Sequence, residues 1–360
     1  MAKVLFVNLS KNTNIFMLQN HEAERYGHVT FNITDFRRPD HKKLRHIEYC
    51  NPTLENYLKK IRELHKVHKF DYITTQCENL YPLVDMLKDE INIMPIMDID
   101  VNTLTCKEKF SKFAASIGIP HPSYIIPTSI EELRGFNVPI FVKPTNGSDG
   151  TCKLFMSEDK YSKFDYHRFD SGANFADVLE QHNAVDDFLD TQNNLRDMKI
   201  GKSVAGIKGR HIVQECVVSR ESYIFNTVII DGDVRLVNAM HSDLGYEPNM
   251  YIYGHGITNY LTFAESRNNQ VTVRDFVGED VYDAFMEQIH KVVINAGIKL
   301  AALDVTTVPY FGSYYLQDLQ FRQGGSISRT IKVDRDVASD LYVDKILFDD
   351  IEYESVWKHV

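Results

Sequence analysis

Asp304 and Asp318 are the residues whose types and spacing carry the most chemistry. They are equidistant from Phe311, and the runs Lys299–Val308 and Tyr314–Phe321 read as two strands joined at Pro309–Ser313. A hairpin centred on Phe311 puts the two carboxylates opposite one another. Gln320 follows two residues after Asp318 and therefore projects from the same face. Like charges directly opposite in a ladder are destabilising unless something neutralises them. A hard divalent cation held by carboxylate and amide oxygens would do so, and Mg²⁺ commonly takes one or two carboxylates plus phosphate oxygens. The competing reading is a slip of one residue, which leaves one aspartate solvated.

Two lysines offer the complementary charge. Lys143 closes the apolar run Val138–Val142 and opens Lys143-Pro144-Thr145-Asn146-Gly147-Ser148-Asp149-Gly150. A cation beside exposed backbone N–H groups is what cradles a phosphate, although the same composition also serves ordinary turns. Neither G-x-x-x-x-G-K-[ST] nor G-x-G-x-x-G occurs. Lys107 lies in the first turn of a helix that the capping-box pattern Thr105-Cys106-Lys107-Glu108 opens. The macrodipole disfavours a cation there, so Lys107 reads either as a snorkelling surface lysine or as a residue facing an anion.

The elements that must position these residues follow from periodicity. Val4–Val7, Asp71–Thr75 and Ile91–Ile96 read as short strands, separated by helices over Leu54–His68 and Pro82–Leu87. Strands alternating with helices predict a small parallel sheet covered on both faces. Phe110, Phe113, Ala114 and Ile117 give the helix that carries Lys107 its apolar stripe, and Gly118 with Pro120 ends it. A polar stretch over 157–209 has helical patches and little apolar pattern, and reads as an inserted lid or a partner surface. Ile212–Val218 and Tyr223–Ile230 read as strands, with Asp231-Gly232 as a hairpin turn into Val234–Met240. A helix fits Val281–Ala296, with Gly297 as its stop. His65 and His68 sit one helical turn apart without an evident third ligand, which makes them a surface pair.

Taken in chain order, these parts resemble the ATP-grasp superfamily over nearly the whole chain, in its carboxylate–amine branch of amino-acid and dipeptide ligases. Asp318-Leu319-Gln320-Phe321-Arg322-Gln323-Gly324-Gly325 is similar to that branch's E-x-N-x-R-x-G-G, with Asp for Glu and Gln for Asn. The resemblance implies an α/β (α+β) architecture of three parts. These are an N-terminal Rossmann-like domain over 1–102, a lid over 103–213 containing the polar stretch, and a C-terminal domain over 214–360 with a mixed or antiparallel sheet. It implies that Lys107 and Lys143 contact ATP phosphates under the loop of Gly147, Ser148 and Gly150. Gln214, Glu215 and Val217 would face adenine, and Glu221 the ribose hydroxyls. Asp304, Asp318 and Gln320 would hold Mg²⁺ or Mn²⁺, and Arg322 would steady the substrate carboxylate and acyl phosphate. His255, in Tyr253-Gly254-His255-Gly256, would contact the transferred phosphoryl group, although the branch's following Pro is missing. By the same resemblance, Glu78 would take the acidic position at the first domain's substrate edge. Asp318 has one methylene less reach than Glu, and Gln320 one more than Asn. If that exchange does not compensate, the protein binds nucleotide without turnover. Phosphoryl transfer to a hydroxyl acceptor is a further alternative.

Composition excludes other classes. The chain has 360 residues, 43% apolar and 25% charged, and division by about 150 per domain gives two or three domains. Its net charge of −10, from 40 basic and 50 acidic residues, argues against a nucleic-acid or anionic-membrane partner. Five widely spaced cysteines without C-x-x-C point to reduced thiols in a cytoplasmic protein. No apolar stretch reaches the roughly 18 residues of a membrane span, and the first strand begins without a signal-peptide pattern. No G-x-S-x-G elbow supports a hydrolase. The expected partners are a small-molecule carboxylate and an amine, an amino acid or peptide; the sequence leaves the oligomeric state open, with a homodimer among the alternatives.

Overall fold

The structure is a computed structural model of the chain. It describes residues 2–8, 20, 23–24, 27–35, 37, 41–42, 44–75, 77, 80–146, 168–194, 196–200, 203–217, 219, 221–243, 260–264 and 273–321. Among the described residues, no helix is long and apolar enough to cross a membrane.

Five strands form the first sheet: β1 (Lys3–Val7), β2 (Val29–Thr34), β3 (Ile47–Tyr49), β4 (Tyr72–Thr75) and β5 (Asn92–Ile93). Their order is β3-β2-β1-β4-β5, and every pairing is parallel. Within β1, Val4–Val7 is a continuous apolar run because both faces are covered. Leu5 and Val7 pack with Tyr57, Leu58 and Ile61 of the Leu54–His68 helix, whereas Val4 and Phe6 pack with Met94 and Ala302. β2 and β3 are absent from the sequence reading. In β2, apolar Phe31 and Ile33 alternate with Thr30, Asn32 and Thr34, and all five are buried.

The second sheet joins β6 (Tyr124–Ile125), β7 (Ile140–Pro144), β8 (Arg168–Phe169) and β11 (His211–Glu215) in the antiparallel order β6-β11-β7-β8. A separate hairpin, β9 (Arg196–Ile200) with β10 (Ser203–Gly209), precedes β11. Helical segments within the polar 157–209 stretch cover the second sheet. Phe175, Ala176 and Leu179 of the helix Gly172–Gln181, with Ala184 and Phe188, form one core with Ile140, Val142 and Val213. The stripe is narrow and its outer faces are polar, so its periodicity reads weakly. Gly172 is required where this helix begins, because a Cβ there would collide with the carbonyl oxygens of Leu133 and Phe136.

The third sheet contains β12 (Glu221–Ile230), β13 (Asp233–Asp243), β14 (Tyr260–Ala264), β15 (Leu300–Tyr310) and β16 (Ser313–Gln320). It is antiparallel in the order β14-β13-β12-β15-β16. The helix Glu279–Ala296 covers one face, with Phe285 stacked on Phe225 at 4.0 Å between centroids. Asp231 and Gly232 turn β12 into β13 with φ of 51° and 83°, as a type I′ turn needs. Phe311 and Gly312 turn β15 into β16 in the same way, with φ of 44° and 74°.

The capping box expected at Thr105 does not form. Thr105 ends a short helix, Val101–Thr105, and its hydroxyl donates to the Val101 carbonyl at 3.3 Å. Its backbone is helical and cannot adopt the extended N-cap conformation. Cys106 takes that place ahead of the helix Lys107–Ser116, with no side-chain cap bond.

Candidate functional site

The β15–β16 hairpin corrects the expected pairing of the aspartates but keeps its consequence. The turn takes two residues, so Tyr310 pairs with Ser313 and Thr307 with Leu316. Continued without interruption, that register would set Asp304 against Leu319 and turn Gln320 to the other face. A bulge at Gln317 adds one residue to β16, and beyond it Thr306 pairs with Asp318 and Asp304 with Gln320. Asp304 therefore faces Gln320, not Asp318, which lies on the diagonal. The two-residue turn and the bulge each shift the register by one residue. Together they shift it by two, which preserves side-chain parity, so Asp304, Asp318 and Gln320 occupy positions on one face.

On the other side of β15, Asn226 of β12 pairs with Asp304. Asn226 is 1% exposed and Asp304 9%. A buried carboxylate thus lies between two amide residues on adjacent strands, with opposed Cβ atoms about 4.5–5.5 Å apart. Carboxylate and amide oxygens are the donors that a hard cation such as Mg²⁺ prefers, so this row fits that ion. Among the described residues, no group of three or more His, Cys, Asp or Glu side chains clusters as a metal site. Asn226 was missed by sequence reasoning. Its signal is a lone amide in the buried run Tyr223–Ile230, but its pairing with β15 joins strands far apart in sequence.

The second sheet supplies the opposite wall. Ile140, Val142 and Val213 point into that sheet's own core. Phe141 and Lys143, paired with Gln214 and Ile212, therefore share the other face. Lys143 is 9% exposed, with Nζ 6.0 Å from the Phe141 ring centroid. Gln214 Nε2 donates to Tyr315 Oη at 3.3 Å. Tyr315 pairs with Val308 and so lies on the Asp304 face. That bond brings the Lys143 face of the second sheet against the Asp304 face of the third. Glu215 ties into the sheet edge, its carboxylate accepting from the Ser123 N–H at 3.3 Å, and Val217 is half-buried just beyond β11.

The helix that carries Lys107 meets the end of the Lys143 strand. The Lys107 backbone N–H donates to the Thr145 carbonyl at 2.8 Å, so the first turn of that helix abuts the strand end. Arg210, unmarked in the sequence reading, forks onto Glu108 at 2.9 and 2.6 Å. Lys112 Nζ adds 2.7 Å to the same carboxylate. Burial alone would raise the Glu108 carboxyl, but Arg210 and Lys112 outweigh it and hold the group below the usual carboxylate range.

Glu221 is not brought into the Asp304 row. It is exposed at the start of β12 and accepts from Tyr223 Oη at 3.0 Å. Tyr223 belongs to the helix-covered core, so Glu221 and Asn226 occupy opposite faces of β12. Burial, and then the Glu221 charge, raises the Tyr223 phenol above its ordinary range.

The carboxyl edge of the first sheet approaches the end of β16. Tyr81, 1% exposed, donates to the Thr75 carbonyl at 3.3 Å and also to the carbonyl of Phe321. Asn8 Oδ1 accepts from the Cys77 thiol at 2.9 Å, and Tyr57 Oη donates to the Asn8 carbonyl at 2.9 Å. Ligands of open parallel sheets sit at such carboxyl edges, where the strand order reverses; here that point lies between β1 and β4. Glu78, Gly147, Ser148, Gly150, His255 and Arg322 lie outside the described residues.

No protein-family model and no curated protein matches the sequence. Solved structures do match. An L-amino acid ligase from Bacillus licheniformis is 16% identical with a TM-score of 0.61, over 91% of this chain and 69% of that one. A biotin carboxylase from Campylobacter jejuni, in an ATP complex, is 12% identical with a TM-score of 0.61, over 98% and 72%. An N5-carboxyaminoimidazole ribonucleotide synthetase from Thermotoga maritima is 15% identical with a TM-score of 0.56, over 92% and 72%. At these identities the likeness is one of architecture. With its parallel first sheet and the two antiparallel sheets that meet at Gln214 and Tyr315, the chain has the fold of the ATP-grasp superfamily.

Proposed function

We propose that this chain is an ATP-dependent carboxylate–amine ligase, forming an amide or peptide bond on an amino acid or peptide and releasing ADP and phosphate. The observation that carries the reading is the pair of facing sheet surfaces. One holds Lys143, with Lys107 tied to its strand end through Thr145, and the other holds Asp304 between Asn226 and Gln320. Cations on one wall and hard oxygen donors on the other suit a Mg²⁺-bound polyphosphate. The structural likeness to ligases supports the reaction class.

In this reading a substrate carboxylate oxygen attacks the γ-phosphorus, and the bond to the β–γ bridging oxygen breaks. ADP leaves, and an acyl phosphate remains. An amine nitrogen then attacks the acyl carbon, loses its proton, and expels phosphate. Lys107 and Lys143 neutralise phosphate oxygens as charge moves toward the leaving group. Asp304, Gln320 and Asp318 would hold Mg²⁺, which supplies further neutralisation of the phosphates. Phe141 and Ile212 line the wall and exclude water from the anhydride. By resemblance, Arg322 and His255 contact the acid and the transferred phosphoryl group, Gly147, Ser148 and Gly150 cover the phosphates, and Glu78 meets the substrate. Gln214, Glu215 and Val217 border adenine. The ribose role of Glu221 requires its side chain to reach around the strand end from the helix-covered face.

The test is ADP release that needs both a carboxylate and an amine, run across an amino-acid panel with hydroxylamine as a trap. A hydroxamate is expected. AMP release would overturn the acyl-phosphate route. Phosphorylation of a hydroxyl substrate without hydroxamate would assign a kinase, and tight Mg·ATP binding without turnover a nucleotide-binding protein.

A further inference from the structure

Thr145, Arg210, Glu108 and Lys107 form a closed circuit where the second sheet meets the 107–116 helix. Thr145 is 2% exposed. Its carbonyl accepts from Lys107 N at 2.8 Å, and its N–H donates to the Arg210 carbonyl at 2.8 Å. Arg210 N donates back to Thr145 Oγ1 at 3.2 Å, and the Arg210 guanidinium grips Glu108 with two bonds of 2.9 and 2.6 Å. Glu108 directly follows Lys107, which closes the circuit.

The circuit does two things for the lysines. Lys143 is two residues before Thr145 on one strand, and Lys107 is one residue before Glu108 on a helix. Thr145 and the Arg210–Glu108 fork link those elements, and so hold the helix start that carries Lys107 against the strand end that carries Lys143. The fork also consumes the Arg210 charge. Bidentate pairing holds a guanidinium in one plane, so Arg210 is kept on Glu108 and away from the cleft. Even a fully buried pair is poor evidence of stability for its own sake, and this one is half-buried, with the Arg210 side chain 30% exposed; a fixed geometry between two binding groups is what polyphosphate recognition needs.

We propose that Glu108, Arg210 and Thr145 are positioning residues that set the spacing of Lys107 and Lys143, and through it the preference for nucleoside di- and triphosphates over monophosphates. This rests on the nucleotide site proposed above. The experiment measures Mg²⁺-dependent binding of ATP, ADP and AMP to the full chain, by competition with a fluorescent adenine nucleotide, in wild type, Glu108→Gln, Arg210→Lys and Arg210→Met. Misplacing a reacting or binding group by about 1 Å can cost on the order of 100-fold. ATP and ADP affinity should therefore fall at least about tenfold in Glu108→Gln and Arg210→Met, with AMP within about twofold. Arg210→Lys keeps the charge but not the fork and should not restore the preference.

Glu108→Gln is nearly isosteric and keeps the measurement meaningful if Arg210→Met does not fold. A lowered melting temperature with an unchanged ATP-to-AMP ratio in Glu108→Gln would overturn the proposal alone, leaving the circuit a structural brace. Wild type that binds none of the three nucleotides would overturn both the proposal and the site on which it rests.

Discussion

Removing one buried hydroxyl tests how the first sheet is joined to the hairpin. Tyr81→Phe keeps the ring and its edge contact with Phe321, 6.0 Å between centroids, and deletes the donor shared by the Thr75 and Phe321 carbonyls. A typical bond contributes about 0.5–1.5 kcal/mol net, and a buried acceptor left unpaired costs about 1–3 kcal/mol. One proton serves both acceptors here, so the loss should be about 1–2 kcal/mol. For a urea m-value near 3 kcal/mol/M, the midpoint should drop by about 0.5 M. The functional effect should separate by substrate. The tie joins chain positions just before Glu78, proposed to meet the substrate, and Arg322, proposed to meet the acid, and touches neither lysine. The KM for the acid should therefore rise, with ATP affinity unchanged. Urea melts followed by circular dichroism give the first quantity, and coupled ADP assays with either substrate varied give the second. A midpoint within about 0.1 M of wild type, below the spread of such extrapolations, would refute the energetic argument. A loss of ATP affinity with an unchanged acid KM would refute the assignment of the crevice.

Three further outcomes follow from the geometry. Asp304→Asn keeps the shape of the side chain but removes the buried charge, and should lower Mg²⁺-dependent ADP formation by about 100-fold or more; ADP release within a few-fold of wild type would show the cation to sit elsewhere. Deleting Gln317 removes the bulge yet leaves Asp304 opposite Gln320, because Leu316 and Asp318 already pair with adjacent residues; ATP binding should survive, and its loss would show that the bulge itself shapes the site. Burial pushes the Cys50 thiol up to about 11, so its thiolate is scarce at neutral pH and increases as pH rises toward that value. Iodoacetamide labelling at pH 8, read by peptide mass mapping, should be on the order of 100-fold slower than for an ordinary thiol of pKa about 8.5; labelling at the ordinary rate would contradict that burial.

Much of the fold is legible in local pattern. The helix Leu54–His68 follows from its apolar spacing, and Gly297 at φ 61° ends Glu279–Ala296 where glycine's tolerance of the left-handed region predicts a stop. What escapes local pattern has a common cause. β2 carries buried Thr and Asn side chains, and Phe175, Ala176 and Leu179 lie in a polar-looking stretch. Their burial depends on what packs over them, which no window of sequence contains. Thr105 reads as a cap but bonds backward, because a preceding helix occupies its backbone.

The candidate site divides in the same way. Sequence alone determined the residue types: two aspartates and a glutamine at even spacing on one strand pair, and lysines at a helix start and a strand end. Side-chain alternation has period two, so any even error in register leaves those three on one face, and the unread two-residue turn and the unread bulge together make such an error. Only the tertiary structure decided which residues meet. It set Asn226 beside Asp304, closed Arg210 on Glu108, and joined Gln214 to Tyr315 and Tyr81 to Phe321. Those contacts join elements up to 240 residues apart. They come from the pairing of distant strands and the packing of one element on another, which depend on the whole chain and not on local periodicity.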